Sequence, residues 1–81
     1  MIWFVYLVEC SDGTIYTGAT NDVEKRIVKH NKGQGAKYTK SRRPVKLLKF
    51  IKCDSKKEAL SLEYHIKQKS RAEKLRIIKE G

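Results

Sequence analysis

Acidic residues are scarce in this 81-residue chain: 9 Asp and Glu stand against 19 Lys and Arg, a formal net charge of +10. Proline occurs once, glycine five times and cysteine twice. With 40% hydrophobic and 35% charged residues, that composition excludes a disordered or collagenous chain and describes a folded one. No run of about 18 apolar residues occurs, which excludes a transmembrane helix. The apolar opening Ile2–Val8 is too short for a signal peptide and lacks a positive flank and a small-residue cleavage site, so the protein is expected in the cytoplasm. Cys10 and Cys53 have no CxxC spacing and no His cluster nearby. They are expected to be buried free thiols, and not zinc ligands.

The length allows one domain, 1–81, with a small core. Its charge is unevenly placed. Residues 1–20 hold Glu9 and Asp12 and no Lys or Arg, so the rest of the chain carries the whole positive excess. From Lys25 to Lys49 there are ten basic residues and no acid. Such a stretch repels itself unless something anionic lies against it. Nucleic acid is the first partner this suggests and an anionic membrane surface the second; a solvated surface is the plain alternative.

Residues 2–10, IWFVYLVEC, are β-branched and aromatic, hence a strand. Phe4, Tyr6 and Val8 share one face, Trp3, Val5 and Leu7 the other. Both faces are apolar, so the strand is expected to be central and covered on both sides. Ser11-Asp12-Gly13-Thr14 predicts a hairpin turn into a second, antiparallel strand, Ile15–Ala19. Asn21 and Asp22 can each cap a helix, and Asn21 with Glu24 resembles a capping box, for a helix to about Lys32 ended by Gly33 and Gly35. Residues 33–43 show no apolar periodicity and read as a loop. Pro44 opens a third strand, Val45–Cys53. Ser55 with Glu58 caps a second helix to about Lys69, and Ser70 with Glu73 a short third one. The order β-β-α-β-α-α describes an α+β domain, a small three-stranded antiparallel sheet flanked by helices.

Three groups of residues are candidates for chemistry. Glu63 falls on the apolar stripe of the second helix formed by Ala59, Leu62 and Ile66. A carboxylate there must be paired, protonated or bound to a cation. It either reaches Lys67 at i+4 or holds Mg²⁺ with water and substrate phosphate as further ligands. Arg26 and His30, four residues apart, project from one face of the first helix. They form either an ordinary surface pair or a phosphate clamp with a proton-transfer group beside it. Tyr6 and Tyr16 lie on the two strands of the hairpin. They pack in the core, or one acts as a general base if nearby cations lower its pKa from about 10.

Phe4-Val5-Tyr6, Tyr16-Thr17-Gly18 ten residues on, a downstream Arg26 and a later helical Glu63 together resemble the GIY-YIG nuclease domain. The resemblance covers nearly the whole chain and is strongest to small stand-alone members. It runs through Val5–Cys10, Asp12–Gly18, Thr20, Arg26, His30-Asn31, Gly33, Gly35–Thr39, Arg42–Val45 and the tail Ser70–Leu75. It implies a three-stranded antiparallel sheet with flanking helices, and an endonuclease acting on DNA, with RNA open, in the setting of repair or recombination. It implies Glu63 as the single ligand of Mg²⁺ or Mn²⁺, with no other cofactor. Tyr16 would be the general base with Tyr6 hydrogen-bonded near it, Arg26 would stabilise the scissile phosphate, and His30 would assist beside it. Gly18 would let the backbone pass close to the site. Lys29, Lys37, Tyr38, Thr39, Lys40, Arg42 and Arg43 would flank the path of the nucleic acid. Two other readings stand beside it: a nucleic-acid-binding module that keeps the fold without turnover, and a membrane-surface protein using only its charge.

Overall fold

In the computed structural model, which describes residues 2–80, strand β1 (Trp3–Glu9) lies in the middle of a three-stranded sheet of order β2-β1-β3. Met1 and Gly81, the ends of the expected 1–81 domain, lie outside the described residues. β2 (Ile15–Thr20) and β3 (Lys46–Cys53) both run antiparallel to β1, with a register shift against β3 between Leu7 and Val8. Helices α1 (Val23–Asn31), α2 (Lys37–Lys40), α3 (Lys56–Lys67) and α4 (Arg71–Glu80) complete the chain. Apart from the single turn α2, this is the order and the α+β class expected from the sequence.

The two apolar faces of β1 make two cores. Val5 and Leu7 pack with Ile15, Cys53, Ala59 and Ile66 under α3 and α4. Tyr6 and Val8 pack with Cys10 and Val45, and α1 covers them with Val23 and Ile27. Val5, Tyr6, Leu7 and Val8 are all fully buried, the expected signature of a strand covered on both sides. Cys10 and Cys53 are buried free thiols.

The helix boundaries follow from their caps. Asp22, and not Asn21, caps α1: its carboxylate accepts from the Lys25 amide at 3.1 Å. Ser55 accepts from the Glu58 amide at 3.1 Å and starts α3. Ser70 and Glu73 form a reciprocal box: Ser70 Oγ accepts from the Glu73 amide and Glu73 Oε1 from the Ser70 amide. Asn31 holds the end of α1 to the start of β3, its side chain accepting from the Val45 amide at 2.7 Å and donating to the Val45 carbonyl at 3.3 Å.

The expected loop 33–43 contains α2. A single helical turn is too short to show a 3.6-residue apolar period, and Thr39 alone of its four residues is buried. The Thr39 amide and hydroxyl both bond back to the Ala36 carbonyl, which closes the turn without a side-chain cap.

Candidate functional site

The hairpin register places Tyr6 opposite Gly18 and Val8 opposite Tyr16, with the Leu7–Thr17 pair between them, so both tyrosines face the α1 side of the sheet. Their ring centroids lie 6.4 Å from each other. A Cβ on Gly18 would run into the Tyr6 hydroxyl and ring carbons, so glycine is required there for the Tyr6 ring to lie across β2.

α1 brings His30 and Arg26 over these rings. His30 is fully buried, against both the surface pair and the open phosphate contact expected from spacing alone. Its Nε2 lies 2.7 Å from the Tyr6 hydroxyl and its Nδ1 2.7 Å from the Thr39 hydroxyl. Gly35 passes so close that a Cβ there would overlap the imidazole. Arg26 Nε donates to the Tyr6 hydroxyl at 3.4 Å.

α3 crosses the other face of the sheet and delivers Glu63 to the β2 edge. Glu63 is half-buried at the margin of the apolar stripe, and its carboxylate meets Lys67 Nζ at 3.4 Å. That ammonium also lies 5.5 Å from the centroid of the Tyr16 ring. Tyr6, Tyr16, Arg26 and Glu63 therefore act on one another electrostatically. Burial pushes the Tyr6 hydroxyl up against the opposing hydrogen bond from Arg26. Burial and then the Glu63 charge push Tyr16 up, with Arg26 pulling weakly the other way. The condition set for a tyrosine base, a pKa lowered by nearby cations, is therefore not met at Tyr16, although Arg26 pulls in that direction. The basic residues of the loop are turned outward or engaged elsewhere, while a carboxylate and a low-dielectric wall face the phenol. His30 is lowered by burial and by Arg26, which keeps the imidazole neutral.

A cation at this edge would rest on Glu63, because no group of three or more His, Cys, Asp or Glu converges among the described residues. A hydrated Mg²⁺, which uses one or two carboxylates and takes its remaining ligands from water and phosphate oxygens, fits that supply. The Lys67 side chain is 44% exposed and free to swing off the carboxylate.

The loop residues divide. Lys37 and Lys40 are exposed, as is Lys29 on α1. Thr39, expected to line the nucleic-acid path, is fully buried. Arg42 donates to Asp12 at 2.9 Å and to the Tyr38 carbonyl at 2.8 Å. Arg43 donates to the Lys40 carbonyl at 2.8 Å and to the Asn31 carbonyl at 3.4 Å. Both arginines staple the loop. Sequence reasoning assigned no role at the site to Asp12 and treated Lys67 only as a partner for Glu63. The i+4 spacing from Glu63 was the signal for Lys67. Asp12 is thirty residues from Arg42 and carried none.

None of the converging residues lines the groove of about 540 Å³ along the outer side of α1, which is formed by Asp22, Glu24, Lys25, Val28, Lys29, Lys32 and Gln34.

Comparison with known proteins agrees with this fold. The model of the GIY-YIG catalytic domain matches residues 2–76. A UPF0213 protein of Staphylococcus saprophyticus is 58% identical over 78 residues, covering 96% of this chain and 95% of that protein. A UPF0213 protein of Staphylococcus aureus is 58% identical over 77 residues, covering 95% of this chain and 94% of its own. Two solution NMR structures are similar. The UPF0213 protein of Bacillus halodurans has a TM-score of 0.62 at 46% identity, covering 98% of this chain and 84% of its own. A protein from E. faecalis has a TM-score of 0.67 at 35% identity, covering 99% of this chain and 85% of its own.

Proposed function

Because the chain belongs to the GIY-YIG family, we propose that it is a metal-dependent endonuclease that hydrolyses phosphodiester bonds in DNA. The observation that carries this reading is the convergence of Tyr16, Arg26 and Glu63: Arg26 and Tyr16 both meet Tyr6, Lys67 links the Glu63 carboxylate to the Tyr16 ring, and Tyr38, between the exposed Lys37 and Lys40, stacks on Tyr16. When bound, a divalent cation such as Mg²⁺ or Mn²⁺ would supply charge neutralisation on the phosphate, with Glu63 as its protein ligand. Arg26 offers its planar fork to the non-bridging oxygens of the same phosphate. Tyr16 orients the attacking water and, in the fraction of molecules that carry it as phenolate, takes its proton as the new P–O bond forms and the bond to the leaving oxygen breaks, the leaving oxygen taking its proton from solvent. Tyr6, fully buried and hydrogen-bonded to His30, is the weaker candidate for that role.

The raised pKa of Tyr16 favours a second reading, a nucleic-acid-binding module without turnover, since the phenol is protonated at neutral pH. A nicking assay on supercoiled and branched DNA with Mg²⁺ or Mn²⁺ separates the two. Glu63→Gln should keep the melting temperature and DNA affinity and lose cleavage by roughly a thousandfold or more, the effect of several kcal/mol of lost charge stabilisation. Cleavage at the wild-type rate by Glu63→Gln removes the carboxylate from the mechanism. DNA binding with no metal-dependent cutting by the unaltered protein establishes the binding module.

A further inference from the structure

The hydrogen bonds behind the site form a chain whose direction is set at its far end. The Thr39 hydroxyl donates its one proton to the Ala36 carbonyl at 3.0 Å. With that proton committed, Thr39 Oγ1 accepts at its 2.7 Å contact with His30, so the imidazole proton sits on Nδ1. In the neutral ring Nε2 is then an acceptor, and the 2.7 Å contact there is donated by the Tyr6 hydroxyl. The Tyr6 oxygen keeps its lone pairs for the Arg26 Nε–H at 3.4 Å. Tyr6, His30 and Thr39 are fully buried. The groups that face the imidazole are Tyr6 from β1, Tyr16 from β2, Arg26 from α1 and Thr39 from α2, with Arg26 the one charge among them.

We propose that Thr39 and His30 are positioning residues that aim Arg26. They hold the Tyr6 hydroxyl proton on the imidazole side, so that the oxygen can anchor the guanidinium through Nε. The two terminal amino groups of Arg26 are then the ones presented to an anionic oxygen of the substrate. Thr39 thereby leaves the set of nucleic-acid contacts, and His30 leaves the set of groups that touch the phosphate. The identity of the anion as a phosphodiester rests on the proposed nuclease reading; the aiming of Arg26 does not.

Proton–nitrogen correlation spectra of the full ¹⁵N-labelled chain report the His30 tautomer and the exchange of the Arg26 Nε–H in one sample. Near neutral pH the wild type should show a neutral His30 protonated on Nδ1 and a protected Arg26 Nε–H. Thr39→Val keeps the shape and removes the acceptor. It should move the imidazole proton to Nε2, place a second donor on the Tyr6 oxygen and speed Arg26 Nε–H exchange. DNA cleavage should then fall roughly ten- to a hundredfold in kcat with little change in KM, and Thr39→Ser should restore all three readouts. A wild-type His30 that is charged or protonated on Nε2 overturns the proposal. So does a Thr39→Val protein whose tautomer shifts while Arg26 exchange stays the same. If the wild type cuts no DNA, the nuclease reading fails by itself, and the tautomer and exchange measurements still decide this one.

Discussion

Tyr38 stacks on Tyr16, with ring centroids 5.8 Å apart and planes inclined by 23°. The Arg42 guanidinium lies 4.1 Å from the centroid of the Tyr38 ring and is held there by its bonds to Asp12 and the Tyr38 carbonyl. The stack joins the loop to the site. Tyr38 walls in the candidate base and is still 39% exposed, where the sequence suggested a residue flanking nucleic acid. An aromatic pair of this kind contributes about 0.5–1.5 kcal/mol beyond its buried area. Tyr38→Ala should therefore lower the melting temperature by several degrees and reduce kcat, because Tyr16 loses one wall. Tyr38→Phe should do neither. A Tyr38→Ala protein with wild-type melting and weakened DNA binding would return Tyr38 to the interface.

The split among the loop cations has its own consequence. Lys37 and Lys40 are exposed, whereas Arg42 and Arg43 are bonded to the protein's own carboxylate and carbonyls. Replacing both lysines by Ala should weaken binding alike across DNA sequences. The log–log salt slope should fall by roughly 0.9 for each duplex phosphate that is no longer neutralised, with melting unchanged. Arg42→Ala and Arg43→Ala should show the reverse pattern, a lower melting temperature with a nearly constant slope. A slope that falls as much per residue in the two arginine variants as in the double lysine variant would mean that the arginines release their carbonyls to grip phosphate.

Thr17 sits in the YTG half-motif, opposite Leu7 and on the α3 side of the sheet, away from Tyr16. It is 1% exposed and its hydroxyl has no hydrogen-bond partner among the described residues. A buried hydroxyl without a partner costs stability, and an apolar side chain of the same shape removes that cost. Thr17→Val should stabilise by about 1 kcal/mol, a rise of roughly 4–8 °C in a domain of this size. DNA cleavage should be unaffected. A fall in melting temperature would show that the hydroxyl is satisfied after all.

The parts of this molecule written in local pattern were legible. An apolar run on both faces placed β1 in the middle of the sheet, and side-chain caps at Ser55 and Ser70 placed α3 and α4. Glu63 on the stripe was readable down to its Lys67 partner. What escaped the sequence depends on contacts made across long separations. His30 looked like one half of a surface pair because i+4 spacing says nothing of Thr39 closing over it. Arg42 looked free because its partner Asp12 lies in a different turn. A tyrosine base required cations to lower its pKa, and Arg26 does pull Tyr16 down, but weakly. The pKa responds more to burial and to the nearest carboxylate, and both raise it.

The direction of that shift makes the roles of Tyr16 and Arg26 testable by pH. A half-buried phenol acted on by the Glu63 charge holds its proton past the ordinary tyrosine value of about 10. If Tyr16 is the base, kcat/KM should climb about tenfold per pH unit from neutral, with no plateau below that value. Stability runs the other way. A folded-state pKa above the unfolded one stabilises the protein fully below about pH 10, and this contribution is lost as pH rises through the folded value. Activity should therefore keep rising into the range where the melting temperature begins to fall. Tyr16→Phe removes one oxygen and keeps the ring against Tyr38. It should abolish the pH slope and cost roughly 10²–10⁴-fold in rate while melting normally at neutral pH. Arg26→Lys keeps the charge and loses the fork, along with the Nε bond to Tyr6, so it should also be poor. The double variant should lose much less than the product of the two single losses, because groups that act on one phosphate as a unit are not additive. Losses that multiply in full would give the two residues independent roles, and a Tyr16→Phe protein that retains the slope would place the base elsewhere.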